Sequence, residues 1–173
     1  MIEGEESYVI EQLDKHDRTG FSCGIAELDR YLQNQAGQDI KRNMSVTYVL
    51  TKKGNNGILG YYSLSTIGIF PGELPDELIK KLPRYPMLPG ILLGRLAVDE
   101  KYKGNGLGSL LLVDALKRSL AVSKQIGIVA VIVDAKNEAA INFYSHFGFL
   151  TFPENKFRLF IPLNSLKKLN LES

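Results

Sequence analysis

The stretch Lys103-Gly104-Asn105-Gly106-Leu107-Gly108-Ser109-Leu110 lies between an apolar run that ends at Asp99 and a leucine-rich segment. Glycine at every second position leaves little side chain over the first turn of a helix, so backbone N–H groups can approach a ligand closely. The first four N–H groups of a helix have no intrahelical partner, and the helix dipole adds positive potential there. Amides 104 to 109 are therefore expected to form an anion site suited to phosphates.

The flanks place this loop in a fold. Gly90–Val98 reads as a nearly continuous apolar strand and Ile128–Val133 as a second buried strand. Between them, Leu107–Ser123 carries Leu107, Leu111, Leu112, Ala115, Leu116 and Leu120 on one broad helical face. Strand, glycine turn, helix and strand make a right-handed βαβ unit at the centre of a mixed sheet.

Upstream, Ser7–Gln12 reads as an opening strand, and Ile25, Leu28 and Leu32 recur at helical spacing. A more polar helical segment comes next, over Gln35–Lys41. Ser45–Thr51 and Ile58–Phe70 flank the turn signal Gly54-Asn55-Asn56-Gly57 and are expected to pair as a hairpin. Five of the seven prolines fall between Pro71 and Pro89, yet Pro75–Leu82 is written as a short helix, so this is an ordered excursion rather than a linker. Glu138–His146 reads as a helix and Phe157–Ile161 as a last strand before a lysine-bearing tail. The fold class is α/β.

A chain of 173 residues suits a single domain spanning 1–173, and one cysteine, Cys23, excludes an internal disulfide framework and fits a reducing compartment. The acidic start, Met1-Ile2-Glu3-Gly4-Glu5-Glu6, lacks the pattern of a signal peptide, and no apolar run approaches the roughly 20 residues that span a bilayer. A cytoplasmic location without membrane attachment is expected, and no metal is. The net charge of +2 does not announce a nucleic-acid binder, although basic residues cluster at Lys41-Arg42, Lys80-Lys81 with Arg84, and Lys101 with Lys103. Those clusters are either a solvated surface or a basic face that tracks a phosphate backbone.

Two nucleotide readings of the loop are disfavoured. A P-loop requires Gly-Lys-Ser/Thr, whereas Gly108 is succeeded by Ser109-Leu110. A dinucleotide fold would use Asp134 for ribose, but the spacing is Gly-x-Gly-x-Gly and too little chain remains for the other strands. The residues beyond Asp134 are more telling. Asn137, Phe143-Tyr144 and Gly148-Phe149, placed after a βαβ unit with a glycine loop, resemble the GCN5-related N-acetyltransferases. Lys103 stands where that family usually has Gln or Arg. The two motifs cover Leu92–Phe149, about a third of the chain. Phe21-Ser22-Cys23-Gly24, Gly60-Tyr61-Tyr62-Ser63-Leu64, Leu82-Pro83-Arg84-Tyr85-Pro86 and Gly94-Arg95-Leu96-Ala97-Val98-Asp99 extend the likeness to the acetyltransferase toxins of toxin–antitoxin modules.

The resemblance implies a mixed sheet of about six to seven strands flanked by about four helices, acetyl-CoA as donor, and aminoacyl-tRNA as acceptor. It also implies neutralisation by a ribbon-helix-helix antitoxin and a homodimer. Lys103, Gly104, Asn105, Gly106, Leu107, Gly108 and Ser109 would hold the cofactor's pyrophosphate, with Leu96, Ala97 and Val98 along its pantetheine arm and Asn137 and Phe143 also at the cofactor. A phenol, with a pKa of about 10, matches the basicity of a leaving thiolate, so Tyr144 is the expected general acid. Asn137 also suits a helix cap.

Arg42, Lys80, Lys81, Arg84 and Arg95 are the expected acceptor-side cations. Arg95 interrupts an apolar strand, so it either pairs with Asp99 or Glu100 or points into the acceptor cleft. His146 reads as a surface residue and His16 as a loop residue with no visible partner. Cys23 reads as buried packing rather than a nucleophile. Two other functions share these residues: acetylation of a small amine or protein N-terminus, and an acyl-CoA-binding module without turnover.

Overall fold

The computed structural model describes residues 7–169 and Leu171; the acidic Met1–Glu6 segment lies outside them. Seven strands take the sheet order β1-β2-β3-β4-β5-β7-β6. They are β1 (Tyr8–Gln12), β2 (Val46–Lys52), β3 (Gly60–Ile69), β4 (Leu88–Val98), β5 (Ala130–Asp134), β6 (Leu150–Phe152) and β7 (Asn155–Pro162). The helices are α1 (Ala26–Arg30), α2 (Ala36–Lys41), α3 (Asp76–Ile79), α4 (Leu107–Ser123), α5 (Glu138–His146) and α6 (Leu163–Lys168). The chain divides into two compact units, one taking in the chain up to Ser65 with Arg95–Ala115, the other Thr66–Gly94 with the chain from Leu116.

In the first unit β1 pairs antiparallel with β2, and β2 with β3 in the register Val46↔Leu64 to Leu50↔Gly60. The asparagine–glycine turn closes that hairpin as expected. Its core gathers Phe21, Leu28, Leu32, Val49 and Tyr61. Tyr61 is sealed from solvent, its hydroxyl donating to the Leu28 carbonyl at 2.6 Å and its ring meeting Phe21 edge-on at 5.7 Å. The first helix is not the regular one its spacing predicts. Between α1 and α2 the residues Tyr31–Gln35 form a π-helical segment, with the Ala36 N–H bonded to the Tyr31 carbonyl. The Arg18 guanidinium donates to the Leu32 carbonyl in that segment at 3.3 Å.

The second unit holds the parallel pairing of the βαβ unit, Gly90↔Ala130 through Leu93↔Val133. Among the described residues that ladder stops there, and β4 runs on for five residues to Val98. Its core packs Ile69, Leu88, Ala130, Ile132, Phe152 and Phe160, with Leu78, Ile79 and Leu82 of the proline-rich excursion against it. This packing is why the excursion is ordered. The regular helix within it is shorter than expected, Asp76–Ile79, and i→i+3 bonds carry the turn on to Leu82. Two elements have no counterpart in the sequence reading: β6, which pairs antiparallel with β7, and α6 in place of a plain tail.

The end of β4 is fixed by a buried carboxylate. Asp99 is 4% exposed and accepts hydrogen bonds from the backbone N–H groups of Lys101 (3.0 Å) and Ser22 (3.3 Å). The Glu100 N–H in turn donates to the Ser22 carbonyl at 2.8 Å. Removing this cap together with the Ser22 tie costs about 1–2 kcal/mol. Asp99→Ala should lower the unfolding free energy by that amount, read as a lower urea midpoint at an unchanged m-value; a midpoint within error of wild type would dismiss the Ser22–Asp99 tie as a structural determinant.

Candidate active site: a glycine loop and a buried phenol

In the first unit, Gly104 (φ 85°) and Gly106 (φ 76°) both occupy the left-handed region that L side chains resist. A Cβ built at either would meet nothing within 4 Å, so backbone conformation rather than space demands glycine there. The first i→i−4 bond of α4 runs from the Leu110 N–H to the Gly106 carbonyl at 3.1 Å, so the amides of Leu107, Gly108 and Ser109 precede the ladder. Gly108 is a first-turn residue without a side chain, as expected. The Lys103 ammonium donates to the Cys23 carbonyl at 2.8 Å, tying the loop's entry to the first unit's N-terminal arm. Leu96, Ala97 and Val98 lie in the part of β4 beyond the last β4–β5 pair, and Ala97 is buried.

In the second unit, the sequence fixes both ends of α5. Asn137 is extended (φ −160°) and its Oδ1 accepts the Ala140 N–H at 2.9 Å, a side-chain N-cap. At the other end the Phe149 N–H reaches the Tyr144 carbonyl at 3.2 Å and the Gly148 N–H the Ser145 carbonyl at 3.0 Å. With Gly148 at φ 100°, this is a Schellman terminus, and it folds Phe149 back onto Tyr144 with ring centroids 5.6 Å apart. Phe143 meets the same ring at 5.3 Å.

Tyr144 is 4% exposed, and among the described residues its hydroxyl has no hydrogen-bond partner. Burial, assisted by the nearby Asp134 carboxylate, pushes the phenol above its ordinary range. It therefore stays protonated throughout the neutral range. Asp134 itself is clasped by the cross-strand Arg158, whose Nε donates to it at 2.8 Å and Nη2 at 3.1 Å. That ion pair leaves no ribose-binding carboxylate at the end of β5, and the dinucleotide reading falls with it.

Arg95 pairs with neither Asp99 nor Glu100. Residues four apart along a strand are separated by about 13 Å, and both Asp99 oxygens are already bonded to backbone amides. Instead the Arg95 guanidinium lies over the Tyr31 ring, 3.4 Å from its centroid. Of the other expected acceptor-side cations, Arg42 is exposed at the end of α2, and Lys80, Lys81 and Arg84 belong to the second unit, where all three are exposed. His16, expected to lack partners, bonds both the Asp14 N–H and Glu11, the latter at 2.9 Å. His146 is exposed at the end of α5, as expected of a surface residue.

Cys23 is 3% exposed, and burial pushes its thiol up to about 11. The folded state thus favours the neutral thiol. Its stabilising effect is full below the ordinary value of 9.0 and is lost as pH rises to about 11. Urea stability should fall across that window, and Cys23→Ala should soften the fall. Iodoacetamide should modify the native thiol at neutral pH roughly 100-fold more slowly than the unfolded chain; equal rates would mark it as reactive.

Residues 10–149 match the Acetyltransferase (GNAT) family. The tRNA-acetylating toxin of Mycobacterium tuberculosis is 34% identical over 156 residues, covering 90% of this chain and 92% of that protein. Among solved structures, AtaT complexed with acetyl-methionyl-tRNAfMet is 30% identical with a TM-score of 0.86, covering 93% of this chain and 98% of the other. A tyrosine-to-phenylalanine mutant of the toxin AtaT, bound to the C-terminus of the antitoxin AtaR and acetyl-CoA, is 27% identical with a TM-score of 0.79, covering 92% and 96%. The glycine loop, the capped helix behind it in the chain and these likenesses agree: the chain belongs to the Acetyltransferase (GNAT) family.

Proposed function

We propose that this chain is an acetyl-CoA-dependent N-acetyltransferase toxin that acetylates the amino group of aminoacyl-tRNA and so blocks translation. The observation that carries the reading is Tyr144, a buried, protonated phenol with an unspent hydroxyl on a helix fixed at both ends. Support for the acceptor comes from the likeness to AtaT with acetyl-methionyl-tRNAfMet and to the M. tuberculosis tRNA-acetylating toxin.

The donor set fits a diphosphate. Two left-handed glycines expose consecutive amides, and no side chain fills the loop above them. We assign the amides of Gly104, Asn105, Gly106, Leu107, Gly108 and Ser109 to that diphosphate, with the positive charge of Lys103 at the loop's entry. The backbone of Leu96, Ala97 and Val98 serves the pantetheine arm as a strand partner would, and an amide there polarises the thioester carbonyl. Asn137 spends Oδ1 on its cap and keeps its Nδ2 donors for the arm, while Phe143 packs beside Tyr144. When bound, acetyl-CoA supplies the activated acyl group. Tyr144 would hold the proton that the departing sulfur takes up and would regain one from the water that accepts the amine's proton. Arg42, Lys80, Lys81, Arg84 and Arg95 serve the RNA.

The same reading includes a homodimer in the cytoplasm, where aminoacyl-tRNA is found, and neutralisation by a ribbon-helix-helix antitoxin. The structure of AtaT with the C-terminus of AtaR supports an antitoxin partner.

Purified protein incubated with labelled acetyl-CoA and a panel of charged tRNAs should place label on the aminoacyl group. Tyr144→Phe should slow that transfer by roughly 100-fold or more while leaving acetyl-CoA affinity near wild type. Absence of transfer across the whole panel would end the proposal, and a wild-type rate in the phenylalanine variant would remove Tyr144 as the acid.

A further inference from the structure

We infer that Arg95, laid flat on Tyr31, is a built binding site for one phosphodiester of the acceptor RNA, with Tyr31 as its positioning residue. The inference rests on the acceptor reading above and deepens it by naming a contact and the platform that holds it.

The guanidinium is partly buried in the last stretch of β4, and its carbon lies 3.4 Å from the centroid of the Tyr31 ring. A guanidinium has five N–H donors. Among the described residues Arg95 spends one, a long bond from Nη1 to the Ser63 hydroxyl at 3.4 Å, and no carboxylate lies within ion-pair distance. A charge withdrawn from water with most of its donors unspent is costly unless an anion meets it. The edge of a stacked guanidinium presents paired donors that match the two oxygens of a phosphate.

The platform is held from several sides. The Tyr31 hydroxyl donates to Asp39 at 2.8 Å and also bonds the Ser45 hydroxyl at 2.8 Å. Tyr61 stacks near-parallel to the Tyr31 ring, 6.4 Å from it. The Gln35 amide donates to the other Asp39 oxygen at 2.8 Å.

The π-helical segment explains how Tyr31 reaches Asp39. In a regular α-helix, residues eight apart are rotated by about 80° from each other. Absorbing one extra residue makes the pair behave as if seven apart, within about 20° of the same face. The segment Tyr31–Gln35 is such an insertion, placed between the two residues it aligns.

The charge balance here favours an anion. Asp39 is the carboxylate bonded to Tyr31, and Gln35 and Tyr31 hold its pKa below the ordinary carboxylate value, helped by Arg95 and Arg42. Its oxygens are already taken by Tyr31 and Gln35, and Asp29, the carboxylate that also acts on Tyr61, accepts the Cys23 N–H. A phosphodiester supplies the missing negative charge.

The test is equilibrium binding of deacylated tRNA to the full chain over a salt series, with acetyl-CoA affinity and melting temperature measured on each variant. Arg95→Gln should weaken tRNA binding about tenfold and lower the slope of log K against log salt by somewhat less than one, the loss of one phosphate contact. Arg95→Lys should recover only part, because an ammonium lacks the planar stack. Tyr31→Leu should match Arg95→Gln, whereas Tyr31→Phe, which keeps the ring, should stay within about threefold of wild type. Should Tyr31→Leu fail to fold, the Arg95→Gln slope decides alone.

A wild-type slope in Arg95→Gln overturns the inference. A fall in acetyl-CoA affinity with an unchanged tRNA slope assigns the guanidinium to a coenzyme phosphate and overturns it too. If wild type acetylates charged tRNA while Arg95→Gln keeps its slope, this inference fails alone; if wild type neither binds nor acetylates tRNA, the proposed function fails with it.

Discussion

A carboxylate taken out of water must find donors, and Asp99 finds them in two backbone amides from opposite sides of the chain. Much of the first unit depends on that requirement. The amide of Lys101 is local and starts the turn after β4, while the amide of Ser22 brings in the N-terminal arm. Once Ser22 is fixed, the Cys23 carbonyl comes within 2.8 Å of the Lys103 ammonium. The entry to the glycine loop is therefore stitched by three hydrogen bonds to the same dipeptide. In the proposed site the main-chain amides and the dipole of α4 meet the anion, with the lysine's charge held close by at the loop's entry.

The second unit uses a different device. Helix α5 is only nine residues long, too short to be stable by propensity alone. Its ends are closed by Asn137 and Gly148, residues whose side-chain chemistry and backbone freedom suit those two positions. The Schellman closure also determines what covers the phenol: Phe149, the first residue past the glycine, is turned back onto Tyr144. Terminating the helix and burying its tyrosine are thus one event. Burial then tightens the phenol's hold on its proton beyond that of an ordinary tyrosine.

This division explains which elements are readable from the residues alone. Helix α4, helix α5 and the β2–β3 hairpin are legible because caps, glycines and hydrophobic period are local signals. The strand β6 is three residues with one buried side chain, and its only strong cue is its partner β7. The π-helical segment is invisible for the same reason. Its sequence, Tyr31-Leu32-Gln33-Asn34-Gln35, has no breaker, and the cost of the wide turn is met by Arg18, 14 residues before the Leu32 carbonyl it bonds. Asp99 carries a weaker local cue: an acid directly before Glu100-Lys101 has the form of a cap.

The cations show most clearly why composition is a poor guide to the acceptor side. A net charge of +2 counts every lysine and arginine alike, yet their donors are not equally available. Arg158 is clasped by Asp134, Arg18 is turned to the Leu32 carbonyl, and Lys103 to that of Cys23. Arg95 is the reverse case. In the sequence it is an anomaly inside an apolar strand, with a nearby carboxylate and the acceptor cleft as its two alternatives. In the fold it is stabilised by an aromatic face, which lowers the cost of partial burial without consuming the N–H groups at its edge. A charge supported through its π-face keeps its hydrogen-bonding capacity for a ligand, whereas one supported by a carboxylate does not.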